Sequence, residues 1–269
     1  FQPMPGMATY AGTKAYVTGG LGTTDYNNNE QSYVLVTGFD LSSLQNPWFS
    51  CKIWWNSEFS WDGTNLQYST NFGTTWQNVG LYLDPGNWYN DNTIVGNPGG
   101  SGEGWTGGAF GNTSGSGGYL TAAHRLDGLA GVGSVRFRLT FASDGSVTDD
   151  GIAFDDVRIA EGPVCNLGPD TLICGGDSLV LDAGPFAAFQ WSPGGQTTRY
   201  KTINMFNTGM HIVKVTDVNG FYDFDSIFVN LSNPLLNIGP DSSICPGDSV
   251  LLDAQLHNGA TYVWNTNAT

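Results

Sequence analysis

One stretch of this chain is written twice. Leu167-Gly168-Pro169-Asp170-Thr171-Leu172-Ile173-Cys174-Gly175-Gly176-Asp177-Ser178-Leu179-Val180-Leu181-Asp182-Ala183 returns as Ile238-Gly239-Pro240-Asp241-Ser242-Ser243-Ile244-Cys245-Pro246-Gly247-Asp248-Ser249-Val250-Leu251-Leu252-Asp253-Ala254. Further on, Phe189-Gln190-Trp191-Ser192 is echoed by Tyr262-Val263-Trp264-Asn265. A period of roughly 70 residues with a Trp at a strand centre fits an Ig-like β-sandwich in tandem. Residues 164–233 make one complete unit, and 234–269 read as the first half of another. The text changes character at Glu161-Gly162-Pro163, so residues 1–163 form a separate domain.

That first region is also β in its patterning. Short runs such as Tyr33-Val34-Leu35-Val36, Asn65-Leu66-Gln67-Tyr68-Ser69 and Ser134-Val135-Arg136-Phe137-Arg138-Leu139 alternate apolar and polar residues, and Gly, Asn, Asp and Pro punctuate them. Period two with frequent turns predicts antiparallel sheets packed as a sandwich. The glycine-rich stretch Asn97–Gly118 reads as a long surface loop around Trp105. Ala122–Leu129 is open between a short helix and a strand. The expected fold class is all-β, a sandwich followed by Ig-like repeats.

The charge balance restricts partners. The chain has 24 acidic residues against 9 Lys plus Arg, a net charge of −15. Such a chain repels nucleic acid and anionic membrane surfaces. No run is apolar for the length of a bilayer span. Only 12 % of residues are charged, so Asn, Thr, Ser and Gly carry solubility, as suits extracellular proteins, and 40 % are hydrophobic, enough for a real core. The sequence begins at Phe1 and stops inside a repeat, which reads as a piece of something longer.

The second half resembles the PKD/Ig-like repeats of large secreted and gliding-motility-associated proteins of the Bacteroidetes. The text carrying this is Gly168-Pro169-Asp170-Thr171 with Ile173-Cys174, the Gly-Asp-Ser turn, Phe189-Gln190-Trp191-Ser192, and Gly209 through Gly220. In that family the first-strand Cys pairs with a Cys after the Asn-Gly turn. Here Phe221 stands at that position, so the resemblance implies Cys165–Cys174 as a replacement bridge. Cys245 would pair beyond residue 269. The first half resembles MAM-like jelly-roll domains of secreted Bacteroidetes proteins. Three stretches carry that resemblance: Phe39 to Leu44 with Asn46-Pro47; Ser60-Trp61-Asp62-Gly63 through Gly73-Thr74-Thr75-Trp76; and Val135 to Leu139 with Asp150 through Val157. Together they imply cargo of the type IX secretion route, secreted to a bacterial cell surface, with secretion machinery and cell-surface proteins or glycans as partners.

Several residues are candidates for chemistry. Asp144, Asp149 and Asp150 share one loop, Asp155 and Asp156 follow it, and Glu58 and Asp62 flank Trp61. Calcium takes six to eight oxygens from such loops, and the related jelly rolls hold structural Ca²⁺; solvated turn acids are the alternative reading. No organic cofactor is indicated. Asp155 and Asp156 alternate in facing, so at most one reaches a given site. Trp88, Tyr89 and Trp105 lie in Gly/Asn-rich loops, which makes them the candidates for stacking on a ligand such as a sugar, although core packing is the ordinary fate of large rings. Cys51 sits among aromatic residues as a core thiol. Ser69–Trp76 approximates an Asp-box, a single hairpin turn with Gly73 at positive φ and Trp76 packing back. Asp-Ser/Thr-apolar triplets, the Bacteroidetes O-glycosylation pattern, place modification at Thr171, Ser178, Ser226 and Ser249. The three histidines do not cluster, and neither His-x-x-x-His nor Gly-x-Ser-x-Gly occurs.

The expected function is a non-catalytic, adhesin or stalk segment of a larger cell-surface protein. The alternatives are a carbohydrate-binding module, or accessory domains of a secreted peptidase whose catalytic domain lies elsewhere.

Overall fold

The computed structural model describes residues 15–18, 24–107, 115–232, 237–254 and 261–265. Part of the glycine-rich stretch, residues 108–114, lies outside them. The protein is all-β and divides into two compact units, the first built mainly from residues up to Cys165, the second mainly from Asn166 onward.

The first unit is a two-sheet sandwich. Its strands are β1 (Tyr16–Val17), β2 (Gln31–Phe39), β3 (Pro47–Asn56), β4 (Gly63–Ser69), β5 (Gln77–Asn78), β6 (Trp105–Thr106), β7 (Leu120–Arg125), β8 (Val135–Ala142) and β9 (Gly151–Glu161). One sheet runs β1-β9-β3-β7 and the other β2-β8-β4-β5, with β6 also on β4. The chain crosses between sheets from β1 through β4 and again from β7 through β9. That alternation is the strand order of a jelly roll. The segment open between helix and strand is strand through Arg125.

Period two sets the layers. Along β3, Phe49, Cys51, Ile53 and Trp55 point inward and are buried, while Lys52, Trp54 and Asn56 are half-exposed. Along β8, Val135, Phe137, Leu139 and Phe141 enter the same core, and Arg136 and Arg138 face out. Each such buried side chain stabilises by about 1.5–3 kcal/mol. Burial pushes the Cys51 thiol up to about 12, so it stays protonated as a packing group.

The loop aromatics belong to this core, which corrects their reading as ligand contacts. Trp88, Tyr89 and Trp105 are 4 %, 1 % and 0 % exposed. Trp105 lies edge-on to both of the others, at ring centroids 4.9 and 4.7 Å away. Each polar tip finds backbone: Trp88 Nε1 donates to Val79 O at 2.9 Å, Tyr89 OH to Leu66 O at 2.9 Å, and Trp105 Nε1 to Asn87 O at 2.9 Å. With those bonds made, burying an indole or phenol carries little penalty. Nor is Asn97–Thr106 a free surface loop, since β6 pairs with β4. Glycine is required at this pairing: a Cβ on Gly63 would lie 2.6 Å from Trp105 O, and one on Gly104 would collide with Thr64 O.

The second unit is Ig-like. Its strands are β10 (Thr171–Cys174), β11 (Ser178–Asp182), β12 (Ala188–Ser192), β13 (Tyr200–Asn204), β14 (Gly209–Thr216) and β15 (Tyr222–Ser232). They form a four-stranded sheet, β10-β15-β14-β12, and a two-stranded sheet, β11-β13. β10 runs parallel to β15, from Thr171 opposite Val229 to Cys174 opposite Ser232. Trp191 of β12 is 1 % exposed, in the place of the strand-centre Trp of Ig sandwiches. The second copy of the repeated text differs: no strand forms over 237–254, and Ile244 and Leu252 are exposed where Ile173 and Leu181 are buried.

Candidate functional site

Three of the acids selected from sequence converge. Glu58 follows β3, Asp62 immediately precedes β4, and Asp144 follows β8, so the loops at one end of the first sandwich bring them together. One carboxylate oxygen from each lies within 4.8 Å of the others. Two oxygens on opposite sides of a calcium ion are about 4.8 Å apart, twice a Ca–O distance of about 2.4 Å. The spacing therefore suits a shared divalent cation.

The loops fix these side chains tightly. Trp61 N and Asp62 N both donate to Glu58 O, closing a turn. Ser57 OH at 3.0 Å and Thr106 OH at 2.6 Å donate to Asp62 O. The fully buried Asp62 carboxylate accepts Tyr26 OH at 2.6 Å on one oxygen and Asp144 N at 2.7 Å on the other. Glu58 Oε2 is buried and meets no donor. Burial, then the negative charges of Asp62 and Asp144, raise the Glu58 pKa. Asp62 is raised by burial against the lowering effect of its two hydrogen bonds. An acid held up in this way is one that a cation in the same place would relieve.

The other selected acids fall elsewhere. Asp149 and Asp150 both accept from Asn56 Nδ2, at 2.6 and 3.2 Å. Burial raises the Asp149 pKa, the Asp150 and Asp25 charges adding to it. Asp155 and Asp156 sit on β9 where its register against Ser50–Lys52 shifts, and Asp156 has φ of 49°. None of these four joins the group of Glu58, Asp62 and Asp144.

Cys165, the last residue of the first unit's main segment, is buried, and Cys174 of the second unit is exposed with a free thiol, so the bridge between them is not formed. The two face different environments, one inside and one at the surface of β10. Ser178, Ser226 and Ser249 are exposed and Thr171 is half-buried. His124 Nε2 meets Asp84 Oδ2 at 2.9 Å and its Nδ1 meets Arg125 O at 2.6 Å, which ties the loop before Trp88 to β7.

Sequence reasoning passed over the outer face of the β2-β8-β4-β5 sheet. There Arg138 lies over the rings of Trp76 and Tyr33. The alternation Val135-Arg136-Phe137-Arg138 signalled that both arginines share a face, but the register that sets Tyr33 and Trp76 beside them comes from pairings distant in sequence.

The chain matches no family model and no curated protein. Fold and topology define its class, an all-β protein of sandwich units. No helix among the described residues is long and apolar enough to cross a membrane.

Proposed function

We propose that this chain is a non-catalytic segment of a large secreted bacterial cell-surface protein, with the jelly roll displayed on a stalk of Ig-like units. The observation that carries the reading is the sequence of modules: a jelly-roll sandwich, then an Ig-like sandwich, then the same Ig text begun again at Ile238. Repeats of this kind build elongated arrays in which each unit buries its own core. In this reading Glu58, Asp62 and Asp144 hold a structural Ca²⁺, supplying three of its six to eight oxygens and supported by the donorless Glu58 Oε2. The exposed Ser178, Ser226 and Ser249 are the O-glycosylation sites that fit a secreted stalk.

The test is surface location and attachment. Antibodies against residues 15–232 are expected to label intact cells of the source organism, and in-frame deletion of the segment to reduce attachment to surfaces. Labelling that appears only after permeabilisation would sink the reading.

A further inference from the structure

The outward face of the five-stranded sheet is built unlike the rest of this acidic surface. Its register sets Leu35, Arg138, Gln67 and Asn78 in one row across β2, β8, β4 and β5, and Tyr33, Thr140 and Asn65 in the next. Gln67, Thr140 and Asn65 are buried, with Asn65 and Gln67 bonded to Pro98 O, Gly99 O and Glu103 O, so the open part of the face is its β2–β8 side. Arg138 is clamped. Its Cζ is 4.4 Å from the Trp76 ring centroid and 5.5 Å from that of Tyr33. Its Nε and Nη2 both donate to Gln67 Oε1, at 2.9 and 2.7 Å. Gln67 is held in turn through Nε2 by Asn78 Oδ1 at 2.9 Å and Gly99 O at 3.0 Å. Two residues along β8, about 6.8 Å away, Arg136 lies 5.3 Å from the Phe72 ring centroid and donates to Phe72 O at 2.8 Å.

Among the described residues neither guanidinium has a carboxylate within ion-pair distance. Among the described residues the arginine ion pairs are those of Arg125 and Arg199. A chain with 24 acids and 9 bases thus gathers two of its cations where no acid answers them, beside rings that stay in water. Tyr33 is 61 % and Phe72 69 % exposed.

We propose that this face binds an acidic polysaccharide bearing uronate residues, with Arg136 and Arg138 taking the carboxylates and Tyr33 and Phe72 lying against the sugar rings. A guanidinium matches a carboxylate through paired N–H groups, and Gln67 occupies only two of the five on Arg138. Because the side chain is already immobilised, little rotamer entropy remains to be lost on binding. An acidic peptide fits less well. Peptides add to sheets at unpaired edges. The outer strand here is β2, while both arginines stand on β8, which is paired on both sides, by β2 and β4, so a peptide added at that edge would run a strand away from them. The ligand class rests on the cell-surface reading, where such polymers occur; the site itself does not.

The experiment is affinity electrophoresis and calorimetry of the full chain with polygalacturonate, in EDTA so that calcium cannot bridge acids on protein and polymer. Fully methyl-esterified homogalacturonan, the same backbone without charge, and poly-L-glutamate are the comparison probes. Polygalacturonate is expected to bind, and the two others not. Arg138→Gln should weaken binding about 10- to 100-fold. Tyr33→Ala, at an exposed position where folding is not at stake, should weaken it measurably while leaving the melting curve unchanged. No binding of polygalacturonate overturns the proposal, as does equal binding by the Arg136→Gln/Arg138→Gln protein. Equal capture of poly-L-glutamate reassigns the face to acidic polypeptides and overturns it too. Failure here leaves cell-surface labelling as an independent result, and failure of that labelling leaves the binding constants standing.

Discussion

Glu58 carries a buried carboxylate oxygen that no protein donor reaches, and its neighbours within ligand distance are two more acids. Its pKa in the fold lies above the ordinary 4.5. A raised carboxylate contributes stability below its unfolded pKa and loses it as pH rises through the folded value, so at neutral pH the metal-free cluster is a repulsion. Glu58→Gln is therefore expected to raise the metal-free melting temperature at pH 7 and to abolish the response to calcium. In the unaltered chain, calcium at about 100 times its Kd should contribute about 2.7 kcal/mol, or about 5–10 °C. Equal calcium responses in both proteins, read by calorimetry, would place the ion elsewhere. His211 obeys the opposite sign. It is 1 % exposed on β14, with Nε2 on Asn207 O at 2.9 Å and Nδ1 without a partner. Burial, then the Lys201 charge, lowers its pKa. Its stabilising contribution is complete above the unfolded value of about 6.5 and is lost as pH falls from there through the folded one. Urea unfolding of the second unit should show a loss between pH 7.5 and 5 that is smaller in His211→Phe.

At the scale of elements, alternation carried most of the legible information. The strands around Leu66, Phe137 and Trp191 were readable because one face is apolar and the period is two. The Asp-box turn was readable as well. Ser69 OH accepts from Gly73 N at 2.8 Å, Gly73 has φ of +92°, and its Cα lies under the Trp76 ring, where a Cβ would come 3.3 Å from Cζ2. Gly73→Ala should cost about 1–2 kcal/mol for the left-handed backbone and shift Trp76 off Arg138; near-ultraviolet circular dichroism reads that shift. The loops misled where composition stood in for packing. Asn, Asp and Gly around Trp88 and Trp105 signal turns, but they say nothing about whether a turn folds back into the core. Of seven acids, sequence could not tell which three converge, because Asp62 and Asp144 meet only through the pairing of β4 with β8.

Across the whole molecule, one text has two fates. Residues 171–174 and 178–182 are strands with Ile173 and Leu181 buried, and residues 237–254 form no strand, with Leu251 89 % exposed. Hydrogen exchange is expected to be slow at Ile173 and Leu181 and fast at Ile244 and Leu252. Matching protection in both copies would mean that the second half-repeat folds by itself. The parallel pairing of β10 with β15 has a mechanical consequence. These are the first and last strands of the Ig-like unit, so a pull on the two chain ends drags them past each other along their length. The hydrogen bonds from Thr171–Val229 to Cys174–Ser232 are loaded together in shear rather than opened one after another. The unit is thereby buckled at the point where tension would enter and leave it.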